Sequence, residues 1–544
     1  MTSSTATTGT ANPAVKPGAN LAAVNLKRGE FANEAFIDFS VPANRKSMED
    51  ALAQVKAMFG REYPLTIGGE RVYTVAKTES LNPSAPEQVI GVFQKATVEM
   101  ANTAVDKAQV AFGRWKRVPV EERVACIYRA ADILRKRRYE LDAWLCYEIG
   151  KTWPEADADI AELIDFCEYY GREALRLGAP QKLTPFRGEN NYMKYIPLGV
   201  GIVIPPWNFA AAIMGGMAAA ALVTGNTVVL KPSSDSPAIA YKFCELLREA
   251  GVPANALQFC PGAGGAIGDA LVQHPKTRFV AFTGSKEVGL HIGELAAKAQ
   301  AGQIWIKRTV LEMGGKDAII VDSEADLDAA VEGVAVSAFG YQGQKCSACS
   351  RAIVAGDVYD AFLAKLTERV KKIRVGEADD AANYMGPVIN QAAMKTILDY
   401  IEVGKKEGRL LVGGGRAAGD GYFIEPTVIA DVAPKSRIEQ EEIFGPVLAV
   451  IRARDFDHAL EIANDTEFGL TGAVYSRNPA KLEKARDSFH VGNLYFNRKC
   501  TGAMVGGHPF GGFNMSGTDS KAGGRDYLLL FLQAKLVAEK LPAA

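Results

Sequence analysis

Short runs of Val, Ile and Phe alternate with helix-period segments twice along this 544-residue chain, and that alternation restricts the fold more than any other feature. Such runs at residues 201–204, 227–230, 257–260 and 278–282 are spaced by helical stretches. Parallel βαβ units have this pattern, because a strand that must return to the same end of a sheet needs a long crossover. A second series begins after Glu312: strand 318–321, helix 325–339, strand 352–354, helix 358–372, and onward to 491–496. Two α/β layers predict two domains, for which 544 residues suffice. Upstream, Val124, Ile127, Ala131, Leu134, Leu141 and Leu145 recur at helical spacing and Gly150 stands as a C-terminal cap, so 121–150 reads as one packed amphipathic helix.

Residues 179–197, APQKLTPFRGENNYMKYIP, carry too much Pro, Gly and Asn for a core and too much length for a tight connection; they read as a protruding hairpin. Together with the apolar segment 527–532, the hairpin points to self-assembly, since edge strands and apolar patches are usually covered. Lys plus Arg (62) nearly cancels Asp plus Glu (63), and no basic run gives a polyanion a footprint, which argues against nucleic acid. An uncharged stretch, 195–230, is broken by Pro205, Pro206 and Asn208, and what remains is too short to span a bilayer. Eight scattered cysteines suit free thiols in a reducing compartment. Only Lys16, Lys27 and Arg28 are basic before Glu30, so the N-terminus reads as a tail and not as an Arg-rich transit peptide, with the cytoplasm favoured over a mitochondrial matrix.

The chemistry centres on GYQGQKCSACS, residues 340–350, where Cys346 and Cys349 stand three apart. They are a metal clamp, a redox pair, a nucleophile with a bystander, or two buried small hydrophobes. Zinc needs a second close pair of ligands, which the other six cysteines and five histidines do not supply, so no metal is expected. A redox pair belongs in an N-terminal βαβ unit of a small domain, not behind a Gln-Gly-Gln loop. His490 or His508 beside Cys346 would make a cofactor-free thiol hydrolase. A Gly-x-Gly-x-x-Gly fingerprint is missing, since PGAGGAIG at 261–268 has the wrong spacing.

Six stretches in order, PPWNFA, LKPSS, FTGSKEVG, LEMGGKD, GQKCSA and EEIFGPV, resemble the aldehyde dehydrogenase superfamily, over a span from about Tyr63 to the C-terminus. FGYQGQKCSACSR and GNLYFNRKCTGAMVGGHPFGG are most similar to its members that act on L-glutamate γ-semialdehyde, the open form of 1-pyrroline-5-carboxylate. The resemblance implies an α/β fold with a Rossmann-type NAD-binding domain, an α/β catalytic domain and a small oligomerisation hairpin with a C-terminal segment. It divides the chain into a disordered or extended tail (1–35), the NAD-binding domain (36–178 and 198–310), oligomerisation elements (179–197 and 520–544), the catalytic domain (311–496) and a substrate-anchor loop (497–519) that returns to the NAD-binding domain. The activity implied is NAD-dependent oxidation of the semialdehyde to L-glutamate in proline breakdown, by a dimer or larger homo-oligomer with proline dehydrogenase as a functional partner. Another semialdehyde dehydrogenase and the thiol hydrolase are the alternatives.

Aldehyde oxidation through a thiol needs a nucleophile, oxyanion donors and a base for thioester hydrolysis. The resemblance assigns these to Cys346, to the Asn208 amide with the Cys346 N–H, and to Glu312, with Gly314 and Gly315 letting that carboxylate swing. Cys349 becomes the bystander. For the cofactor it implies Pro206, Trp207, Lys231, Ser233, Gly284, Ser285, Gly289, Glu442 and Phe444. Lys231 would hold the adenosine ribose, the N-terminus opened by Gly284 and Ser285 the pyrophosphate, Glu442 the nicotinamide ribose, and Phe444 would pack beside the nicotinamide. Ser234 stands where many relatives carry a Glu that repels a 2′-phosphate, so NAD is expected with some tolerance of NADP. For the substrate it implies Ser347, Gly502 and Ala503 on the carboxylate, Phe209 and Phe510 along the methylenes, and Glu162 and Lys345 completing the pocket.

Overall fold

The computed structural model describes residues 25–542, so the part of the expected tail within 1–24 lies outside the described residues. From residue 25 to 41 the chain has no helix or strand and is tied to the helix Trp153–Gly178. Asn33 Nδ2 donates to Asp165 (2.8 Å), and Ile37 N donates to Asp157 (2.8 Å).

Two seven-stranded sheets organise the rest. The first runs in the order Arg308–Glu312, Thr277–Thr283, Val200–Ile204, Thr227–Leu230, Leu257–Phe259, Leu65–Ile67, Glu70–Val72. Its first five strands are parallel and the last two antiparallel. The second runs Arg409–Val412, Thr427–Ala430, Val447–Ala453, Cys349–Ala355, Asp317–Val321, Thr471–Tyr475, Asn493–Phe496, parallel except at its first pair. Strands 200–204 and 227–230 are buried at every residue, as parallel strands covered on both faces must be. Because Arg308–Glu312 still pairs within the first sheet, residues 313–316 carry the chain from one layer to the other.

Two expectations are corrected. Residues 121–150 form two helices, Val120–Lys136 and Arg138–Ile149, since Arg137 leaves helical geometry at φ −106°, ψ 16°. The second piece is buried on almost all sides, so its apolar residues mark a core helix and not an amphipathic one; Gly150 does cap it, at φ 66°. The apolar segment 527–532 is covered within the chain. Tyr527, Leu528, Phe531 and Leu532 are buried in the core, with Tyr527 stacked on Tyr170 at 5.4 Å, so its apolarity does not call for a partner. Residues 179–197 do supply a hairpin, Gln181–Lys182 with Glu189–Pro197, and Leu532–Lys540 adds a third antiparallel strand from Leu532 opposite Pro197 to Lys540 opposite Glu189. Among the described residues no helix is long and apolar enough to cross a membrane.

Candidate active site

Parallel strands deliver loop residues to one edge of a sheet. Strand 200–204 ends at Pro205, Pro206, Trp207 and Asn208; strand 227–230 at Lys231, Ser233 and Ser234; strand 277–283 at Gly284 and Ser285. These residues, with Cys346, Glu442 and Phe444, line a cavity of about 420 Å³. Ser285 caps the helix Lys286–Ala297 by accepting from Val288 N (3.4 Å), which leaves other first-turn N–H groups without a side-chain partner. Lys231 is buried, its Nζ bonded to Pro232 O (3.3 Å), with no acidic partner within 4 Å among the described residues. Glu442 Oε1 accepts from Gly315 N (3.0 Å), and burial pushes its carboxyl up to about 7. Phe444, held at φ 56°, meets Trp207 edge-on at 5.6 Å. Gly289 differs from the rest: it does not line the cavity, and a Cβ there would lie 2.4 Å from Met313 Sδ, so its smallness serves helix-on-strand packing.

Cys346 borders this cavity and also a second of about 100 Å³, lined by Glu162, Phe209, Ser347, Gly502, Ala503 and Phe510. A third, of about 530 Å³, continues from the second toward Glu155, Lys345 and Lys499. The loop that presents Cys346 is strained: Tyr341 (φ 50°) and Gln342 (φ 56°) are both left-handed and buried. Buried bonds hold it, from Tyr341 Oη to Ile149 O (3.0 Å) and from Gln342 Nε2 to Gly150 O (3.1 Å) and Pro387 O (2.7 Å). Asn208 is 3 % exposed, and its Nδ2 donates to Gln344 O (2.9 Å), two residues before the thiol. Burial pushes the Cys346 thiol well up, helped by Asp317, Glu442 and Glu312. Cys349 sits in a strand, 1 % exposed, and lines neither cavity that meets at Cys346. His508 lines the second cavity, but its Nδ1 accepts from Met504 N (3.1 Å); His490 packs at a tilt against Phe513 (5.0 Å). Neither is hydrogen-bonded to Cys346, which removes the dyad a thiol hydrolase needs.

Glu312 lines none of the three cavities. Its Oε1 accepts from Ser520 Oγ and, at 3.4 Å, from Ser520 N, while Oε2 is buried without a partner. Burial pushes this carboxyl up to about 7, opposed by the Ser520 bonds and Lys521. Gly314 and Gly315, which follow Met313, also have a packing use. A Cβ on Gly314 would meet Glu442 Oε2 at 2.1 Å, and one on Gly315 would meet Cys346 O at 2.5 Å, so both permit close approach of neighbours.

The profile of the aldehyde dehydrogenase family matches residues 73–537. The chain belongs to the aldehyde dehydrogenase family. It is 59 % identical over 511 residues to 1-pyrroline-5-carboxylate dehydrogenase of Geobacillus thermodenitrificans, covering 94 % of this chain and 99 % of that one. A crystal structure of 1-pyrroline-5-carboxylate dehydrogenase from Thermus with bound NAD superposes with a TM-score of 0.93 at 51 % identity, over 95 % of this chain and all (100 %) of that one. Proline utilization A from Bdellovibrio bacteriovorus matches with a TM-score of 0.93 at 45 % identity, over 96 % of this chain and 55 % of that one.

In this aldehyde dehydrogenase the far side of the thiol combines residues expected from the sequence, Gly502, Phe510, Glu162 and Lys345, with two that were not, Arg498 and Cys500. Gly502 is left-handed (φ 74°), and Arg498 Nη2 donates to Thr501 O (2.9 Å) and Gly502 O (3.1 Å), gathering the loop's carbonyls on one side. Cys500 Sγ donates to Ser347 O (3.3 Å), tying that loop to the residue after the nucleophile. Phe510 N donates to Ala522 O (2.9 Å). Glu162 is pushed up to about 8, mainly by burial and then by Asp159. Lys345 is paired with Glu155 (2.8 Å). Of the residues not expected, the Arg498-Lys499 pair left a signal in the sequence as two adjacent basic residues; Ser520 and Cys500 carry none.

Proposed function

We propose that this chain oxidises L-glutamate γ-semialdehyde, the open form of 1-pyrroline-5-carboxylate, to L-glutamate with NAD. The observation that carries the reading is the position of Cys346, one thiol opening onto two cavities, one suited to a dinucleotide and the other to a short polar aldehyde. The fit to a dinucleotide rests on this chain's own donors: an under-capped helix N-terminus at Gly284 and Ser285, and a buried Lys231 without an acidic partner among the described residues.

In this reading the Cys346 thiol gives its proton to water and its sulfur bonds to the aldehyde carbon, and the carbonyl oxygen becomes an oxyanion that takes donors from the Asn208 amide and the Cys346 N–H. Pro206, Trp207, Lys231, Ser233, Gly284, Ser285, Glu442 and Phe444 hold the cofactor. NAD, when bound there, would supply the acceptor for the hydride that leaves the adduct. Cys346 then carries a thioester. Glu312 releases Ser520 and takes a proton from the water that attacks this carbon; the C–S bond breaks and the sulfur regains a proton. A base near 7 suits that step at neutral pH. Ser347, Gly502 and Ala503 anchor the carboxylate, Phe209 and Phe510 flank the methylenes, and Glu162 faces the ammonium. The enzyme works in the cytoplasm as a homodimer or larger oligomer, downstream of proline dehydrogenase.

An aldehyde panel assayed with NAD and with NADP tests the reading. Glutamate γ-semialdehyde with NAD should give the highest kcat/KM; an equal or higher value for an aldehyde without the α-carboxylate would overturn it.

A further inference from the structure

The third cavity is the mouth of the substrate side, and its charges are not balanced evenly. Four acids that line it, Glu155, Asp157, Glu162 and Asp165, stand on the helix Trp153–Gly178; Asp157 is paired with Arg138 (2.6 Å) and Asp165 accepts from Asn33 Nδ2 (2.8 Å). Lys345, Arg498 and Lys499 come from the other side. Lys345 is neutralised, since its Nζ reaches both oxygens of Glu155 at 2.8 Å. Arg498 is occupied with the carbonyls of Thr501 and Gly502 and lies over the Tyr495 ring at 4.4 Å. Lys499 alone of the three has neither: among the described residues no carboxylate lies within 4 Å of it, and no hydrogen bond engages its ammonium. It is nonetheless well placed, because a Cβ on Gly502 would lie 3.3 Å from Lys499 Nζ. The ammonium therefore hangs over the backbone of the loop that faces Ser347 across the cavity. Although the residue is exposed overall, desolvation of its ammonium and then Lys345 and Arg498 lower its pKa, while Glu155, already bonded to Lys345, raises it.

We propose that Lys499 is a specificity-determining residue, whose ammonium pairs with the α-carboxylate of the substrate beside Gly502 and so selects amino-acid aldehydes over simple ones. This rests on the function proposed above. The missing counter-ion is then the substrate itself: its carboxylate meets Lys499 and the loop N–H groups while its ammonium turns to Glu162 on the opposite helix. Backbone donors alone favour any carbonyl oxygen, but a fixed cation favours a full negative charge, which is what separates this substrate from an uncharged aldehyde of the same length.

Lys499→Met keeps the stem and removes the charge; Lys499→Arg keeps the charge. For glutamate γ-semialdehyde, Lys499→Met should raise KM roughly ten- to hundredfold. Its kcat should stay within about twofold, and kcat/KM for a five-carbon aldehyde without the carboxylate should not change. Lys499→Arg should restore most of the lost affinity. Calorimetric binding of L-glutamate to the cofactor-free protein should weaken by the same factor in Lys499→Met, a readout independent of turnover. An unchanged KM and unchanged glutamate affinity in Lys499→Met, or an equal loss with both aldehydes, would overturn the proposal. Failure of the function itself shows in the wild type, as no preference for the semialdehyde, and takes this proposal with it; failure of Lys499 alone shows only in the variants.

Discussion

The two sides of Cys346 are built in opposite ways. The cofactor side is framed by strand ends of a parallel sheet and by one helix N-terminus, and its lining charges are Lys231, Asp235 and Glu442. The substrate side is framed by one left-handed loop at Gly502 and one long helix, and Glu155, Glu162, Lys345, Arg498 and Lys499 crowd its mouth. Backbone donors on a rigid sheet suit a large ligand gripped at many points, whereas charges on a loop suit a small zwitterion gripped at its two ends. Changes at the thiol should therefore stop the reaction that joins the two sides, and changes on either flank should disturb the ligand of that flank alone.

The largest effect tests the junction. Cys346→Ala should lower aldehyde oxidation by on the order of a thousandfold or more while NAD still binds, and Cys349→Ala should leave most activity. Equal losses from both would deny that a single thiol joins the cavities. Next comes the base, which belongs to neither flank. Glu312→Gln should slow thioester hydrolysis by roughly a hundredfold or more yet leave a burst of NADH in the first turnover. Because this carboxyl sits near 7 and must be ionised to act, wild-type turnover should rise with pH through that region, and the limb should vanish in Glu312→Gln. In Ser520→Ala the limb should move to higher pH, since the Ser520 bonds favour the charged form; a shift to lower pH would contradict the parked geometry.

Smaller effects sharpen the contrast between flanks. Ser347→Ala should raise KM for the semialdehyde about tenfold and leave a carboxylate-free aldehyde nearly unaffected, as measured by steady-state kinetics on both. On the cofactor flank, Ser234 lines the cavity where an acid would repel a 2′-phosphate. The wild type should use NADP measurably, and Ser234→Glu should cut that use several-fold with little change for NAD. No NADP activity in the wild type would mean that another group discriminates.

Much of the scaffold was legible because it repeats. The strand runs at 227–230 and 278–282 fell where the sheet places Thr227–Leu230 and Thr277–Thr283, since a strand buried on both faces must be apolar throughout. The break at Arg137 was not legible, as one helical period continues across it while the second helix is buried on almost all sides. Residues 527–532 misled for a related reason: apolarity says that a segment is covered but not by what, and the Tyr170 ring decided that.

By itself the sequence determined the two α/β series, the loop that holds Cys346 and Cys349, and, through motif resemblance, the residues near the thiol. Those are local properties, carried by spacing along the chain. Tertiary structure alone decided that Cys346 opens onto two cavities and Cys349 onto neither of them, and that Glu312 rests on Ser520, 208 positions away. It also decided that Lys345 is neutralised by Glu155, 190 positions away, while Lys499 is left without a partner among the described residues. Burial and charge pairing depend on distances in space between segments far apart in the chain, and those distances come into being only when the two sheets and the loop between them are packed.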